Sequence, residues 1–166
     1  PEDITVIGCS QTPVTWIPPT AVGFCKVDTL YSNYMPGDSF PLGPTTISYT
    51  VIDSTGQITT ATFVITIADT LAPQISCPTG PIVVNTGGAI LSDPDEFLAS
   101  ADTVTGCDGA RLEFNLPGAS DDCEIAALTQ TNGGLTGDIF PVGSDTLTYL
   151  AVDSSGNTAV CSVIIT

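Results

Sequence analysis

The chain has 166 residues, 42% hydrophobic and 12% charged, with two Lys and Arg against eighteen Asp and Glu, no His and a formal net charge of −16. So few cations exclude nucleic-acid binding, where Lys and Arg replace phosphate counterions, and attraction to an anionic membrane surface. The missing His removes the side chain whose ordinary pKa suits proton transfer near neutrality, and no apolar run approaches the ~18 residues that span a bilayer, so no membrane insertion is expected.

The chain opens on Pro1-Glu2-Asp3, which is no secretory leader. Cys9, Trp16, Cys25, Tyr31 and Tyr34 follow; Trp16 is read as a core residue. From Phe40 to Gln57 the chain reads FPLGPTTISYTVIDSTGQ. Phe-Pro-x-Gly marks a turn, because Pro cannot sit inside a central strand. TTISYTVID is rich in residues that favour strands. Its apolar positions Ile47, Tyr49 and Val51 fall two apart, the period of a half-buried strand. Asp53-Ser54-Thr55-Gly56 supplies the next turn, with Asp bonding its own backbone and Gly free to take positive φ. TATFVITI returns as a second strand.

Ala68 to Pro78 is a short junction stiffened by Pro73 and Pro78, with no Gly/Ser linker. SDPDEFLASA, Ser92 to Ala101, has the marks of one short helix: Asp93 to cap it, Pro94 at its first position and acids in the first turn. From Phe140 to Asn157 the chain reads FPVGSDTLTYLAVDSSGN, repeating the earlier stretch. Residues 40–66 align with 140–166 without a gap, pairing Phe40 with Phe140, Tyr49 with Tyr149, Asp53 with Asp153 and Gly56 with Gly156. Such self-similarity indicates a duplicated structural unit. Short strands, regular turns and few helix signals give an all-β chain of two tandem immunoglobulin-like β-sandwiches, with one short helix in the second. The expected domains are 1–70 and 71–166, the second carrying an insertion at about 79–106.

Six cysteines suit a disulfide framework in an oxidising compartment. Zinc is disfavoured without His or a C-x-x-C spacing. The spacing of Cys9 to Cys25 equals that of Cys107 to Cys123, which predicts Cys9–Cys25 and Cys107–Cys123 as equivalent local bridges. Cys77–Cys161 is then the remaining pair. Ala61 stands where the second copy has Cys161, so the first copy is expected to lack that staple.

The second copy also shows Cys77-Pro78, Asp121-Asp122-Cys123, Phe140-Pro141-Val142-Gly143, Tyr149, Asp153-Ser154-Ser155-Gly156-Asn157 and Cys161. The first shows Phe40-Pro41-Leu42-Gly43, Tyr49 and Asp53-Ser54-Thr55-Gly56. In these elements the unit resembles the hyalin repeat, or HYR domain, an immunoglobulin-like module of extracellular proteins. Gln57 in place of Asn, Ala61 in place of the closing Cys, and the insertion are departures from its pattern. The resemblance implies adhesion and surface architecture without catalysis.

The expected function is therefore an extracellular or cell-surface repeat protein that forms or decorates a fibre, filament, stalk or surface layer. The alternative is an adhesion module that recognises a carbohydrate or protein partner through the insertion. Expected partners are neighbouring copies or repeats of the same protein, either along a longer array or by a strand donated between subunits, and a glycan or surface-protein ligand. No cofactor is required. Asp69 at the junction, with Asp121 and Asp122, is the candidate calcium set, since Ca²⁺ takes carboxylate and carbonyl oxygens; solvated loop acids are the competing reading. Asp93, Asp95 and Glu96 form a third acidic group. Asp53 and Asp153 are assigned to their turns. No catalytic residue is expected: paired carboxylates can cleave glycosides, but nothing specifies a cleft around Glu96 or Asp122.

Overall fold

Alternation along residues 43–53 sends Ile47 and Tyr49 into a core and their neighbours outward, and the first unit is built on that strand. The computed structural model describes residues 1–23, 26–85, 89–103 and 109–166. These fall into two units, Pro1–Thr70 and Leu71–Thr166.

In the first unit the strands are β1 (Ile4–Ile7), β2 (Thr12–Pro13), β3 (Val27–Ser32), β4 (Ser39–Phe40), β5 (Gly43–Asp53) and β6 (Ile58–Ala68). One sheet runs β1-β6-β5-β3. The β5–β6 hairpin sets Tyr49 opposite Ala61, and β1 joins β6 in parallel, Ile4 opposite Ile65. The facing layer is the β2–β4 pair. Ile47, Tyr49, Phe63, Ile65 and Ile67 from the large sheet meet Val14, Trp16 and Phe40 from the other side. Each large apolar side chain removed from water contributes about 1.5–3 kcal/mol.

The second unit repeats this plan with more strands: β7 (Gln74–Ser76), β8 (Val83–Val84), β9 (Ile90–Ser92), β10 (Leu98–Thr103), β11 (Gly109–Phe114), β12 (Gly118–Ser120), β13 (Ile125–Asn132), β14 (Ile139–Pro141), β15 (Asp145–Asp153) and β16 (Thr158–Ile165). One sheet is β13-β15-β16 and the facing one β10-β11-β14; β12 pairs with β7, and β8 with β9. Tyr149 lies opposite Cys161, as Tyr49 does opposite Ala61. Ile82 bridges Ile165 in parallel, the counterpart of Ile4 on Ile65. Leu147, Tyr149, Val163 and Ile165 pack against Leu112, Phe114 and Phe140. Two facing, mainly antiparallel sheets around one core make each unit an immunoglobulin-like β-sandwich.

The helix expected over Ser92 to Ala101 does not form. A single 3₁₀ turn, Pro94–Glu96, stands in its place, and the chain enters β10 at Leu98. Asp95 and Glu96 adopt left-handed backbone, with φ of 69° and 51°, which no right-handed helix continues through. The Asp93 carboxylate instead accepts the N–H groups of Phe97 and Leu98 at 3.0 and 2.9 Å. Both residues are buried in the core, and Phe97 stacks on Phe114 with ring centroids 5.4 Å apart. This stretch of the second copy therefore supplies core and a sheet strand.

Candidate functional site

The turn acids are consumed locally. Asp53 accepts the N–H groups of Thr55 and Gln57 and the Thr55 hydroxyl. These bonds, the Thr55 hydroxyl first, hold its carboxyl below the usual range. Gly56 takes φ of 83° to close the turn. Asp153 makes the same turn but is buried. Burial works against its charge, yet the Asn157 side chain at 2.8 Å and the N–H groups of Asn157 and Ser155 outweigh that and keep its carboxyl low. Asp95 accepts the N–H of Thr79 at 3.1 Å.

Asp69 directly follows β6, and Asp121 and Asp122 lie between β12 and β13. Asp121 Oδ1 accepts the Cys123 N–H at 3.0 Å, which is a turn bond. Atoms of Asp121, Asp122 and Cys123 lie within 4.8 Å of one another, but Cys123 is disulfide-bonded and offers no thiolate. This donor set indicates no cofactor.

A disulfide joins Cys77 to Cys161, with Cα atoms 6.0 Å apart. It fastens the end of β7 to the middle of β16. Cys9 is disulfide-bonded as well. Cys25 and Cys107 lie outside the described residues, and with them the pairings Cys9–Cys25 and Cys107–Cys123.

One concavity of the first unit was not foreseen. It is a groove of about 490 Å³ beside Tyr49, Val51 and Ala61 on one side and Thr20, Ala21 and Val22 on the other. Its floor is the inward face of the β5–β6 hairpin beyond the point where Trp16 covers it. Trp16 donates its indole N–H to the Tyr49 hydroxyl at 2.7 Å and packs edge-on against Phe63. Val22 is 93% exposed at the rim. One signal for this groove is present in the sequence: Ala61 at the position of Cys161.

Two duplicated sandwiches, the second crossed by a disulfide, define a tandem-repeat β-sandwich module suited to an oxidising, extracellular setting. The model of the HYR domain matches residues 2–67 and again 100–166, and the chain belongs to that family. It is 34% identical over 163 residues to hyalin of Lytechinus variegatus, covering 96% of this chain and 27% of that protein. It is 31% identical over 165 residues to hyalin of Strongylocentrotus purpuratus, covering 96% of this chain and 12% of that one. It is also 31% identical over 154 residues to the rat (Rattus norvegicus) sushi, von Willebrand factor type A, EGF and pentraxin domain-containing protein 1, covering 90% of this chain and 4% of that protein. The chain thus spans about a quarter or less of the length of these relatives.

Proposed function

We propose that this chain is a stretch of an extracellular repeat protein that forms or decorates a fibre, filament, stalk or surface layer, and that it acts without catalysis. The observation that carries this is the tandem duplication, matched twice by the HYR model and aligned along nearly its whole length with hyalin. Each unit has its own core, which suits a modular array. The second unit is further stapled by Cys77–Cys161. The carboxylates of Asp53, Asp93 and Asp153 accept bonds from their own loops, and that of Asp95 accepts one from Thr79, a structural use. Neighbouring copies or repeats of the same protein are the partners in this reading. Electron microscopy of the native-length protein should show rods or filaments. Monodisperse monomers that capture glycans would overturn it.

One observation favours a second reading, a binding module. In the insertion, β9 leaves Ile90 41% and Leu91 65% exposed, an apolar surface for a protein or carbohydrate partner. Loss of glycan-array or cell-surface binding in Leu91→Asp would support this reading.

A further inference from the structure

The two units bury the same hairpin face differently. Tyr149, Ala151 and Asp153 are each at most 2% exposed. Of their counterparts, Tyr49 is buried, but Val51 and Asp53 are only half-buried. Cys161 is half-buried, whereas Ala61 is exposed. A strand covers this face in the second unit, and among the described residues none covers it in the first.

The second unit shows what it is. Val14 and Leu112 occupy equivalent places: each takes a backbone bond from Gly37 or Gly137 and gives one to Asp38 or Asp138. Counting on from them, Trp16 matches Phe114, Pro19 matches Pro117 and Ala21 matches Ala119. Thr20–Val22 is therefore the counterpart of β12. In the second unit β12 is paired antiparallel with β7, Ala119 opposite Ile75. Ile75 packs against the core, and Cys77 is bonded to Cys161. In the first unit Thr20–Val22 has no ladder partner among the described residues, and the groove lies between it and Ala61.

We propose that this groove accepts an extended peptide strand of the Gln74-Ile75-Ser76 kind, running antiparallel to Thr20–Val22 and burying one aliphatic side chain over Val51 and Ala61. Strand addition to an open edge draws affinity from the main chain and selectivity from the buried side chain. The charge fits. The chain carries a net −16, yet residues 70–80 contain no charged side chain, so a strand of this composition meets no repulsion. The donor is the strand leading into a neighbouring HYR module, and for that source the proposal rests on the array reading.

The test is disulfide trapping on the full chain. Ala61→Cys restores the thiol position of Cys161, and Thr62→Cys is the control, because successive strand residues face opposite sides. Each variant is equilibrated in a thiol–disulfide buffer with the peptide of residues 71–78, Leu-Ala-Pro-Gln-Ile-Ser-Cys-Pro, and adducts are located by peptide mapping. Docking raises the local thiol concentration, so Ala61→Cys should give about tenfold more adduct than Thr62→Cys. A peptide with Asp in place of Ile should lose that advantage. Equal adducts at both positions, no adduct at either, or indifference to the Asp peptide would overturn the proposal. Absence of filaments by microscopy would instead remove the array and leave the trapping result standing.

Discussion

Trp16 and Tyr49 share a buried hydrogen bond that the second unit cannot make. The Trp16 indole N–H reaches the Tyr49 hydroxyl at 2.7 Å. Phe114 stands at the Trp16 position, and Phe97 approaches Tyr149 edge-on at 6.3 Å. The Tyr149 hydroxyl is fully buried with no hydrogen-bond partner among the described residues. Two near-identical tyrosines therefore carry opposite energetics. Tyr49→Phe strands a buried N–H and should cost about 1–3 kcal/mol. Tyr149→Phe removes an unpaired hydroxyl and should be neutral or stabilising, by up to about 1 kcal/mol. Urea unfolding separates the two, since Trp16 is the chain's single tryptophan and its fluorescence follows the first unit.

The same hydroxyl predicts an alkaline weakness. Burial pushes Tyr149 up to about 12 from its ordinary 10. Below pH 10 the phenol is neutral in both folded and unfolded chains, and stability is unaffected. Between about 10 and 12 the unfolded chain loses the proton first, so the second unit loses stability progressively as pH rises. Thermal melts across this range should show the fall in the parent chain and a flatter curve in Tyr149→Phe. Identical curves would refute it.

Acid acts through Asp153. Its carboxyl is held below the ordinary 3.8, so its contribution is present above that pH and is lost as pH falls through the folded value. Asp153→Asn should remove this part of the acid dependence while keeping an acceptor for the turn. Asp153→Ala should lower the melting temperature more than Asp53→Ala, because of the two turn acids only Asp153 is itself buried. Melts from neutral pH to below pH 3.8 on the three variants check both statements.

The Cys77–Cys161 bridge closes a separation of 84 residues. A cross-link of that span restricts the unfolded chain strongly, and replacing both cysteines by Ala should cost about 4 kcal/mol. The loss should fall on the second unit alone. Calorimetry would show one transition moving and the other fixed; movement of both would contradict the assignment.

The hairpins were legible because a period of two depends only on the order of side chains: Ile47, Tyr49, Leu147 and Tyr149 all face a core. The Asp-Ser-x-Gly turns were legible because their bonds are local. The Ser92 to Ala101 stretch misled for the opposite reason. Its capping signals are real, since Asp93 does accept two backbone N–H groups, but Phe97 and Leu98 gain more by entering a core whose other members lie far along the chain. Phe40 and Phe140 read as turn residues, yet each is a core side chain of the facing layer. The groove is an absence, visible only once β7 is seen covering the equivalent face of its own unit; Ala61 was its one written trace.

Calcium provides the last prediction. Cations bind where carboxylates converge with free lone pairs. In the described turns the acids are already engaged: Asp53 and Asp153 each accept two or more bonds, Asp38 accepts the Met35 N–H at 2.7 Å, and Asp121 accepts that of Cys123. Excess chelator should therefore leave both unfolding transitions within about 1 °C, since even a 1 kcal/mol loss would move a domain of this size by about 4–8 °C. A larger fall, restored by Ca²⁺ and abolished by replacing Asp69, Asp121 and Asp122 together with Asn, would assign those residues to a structural ion and reverse this expectation.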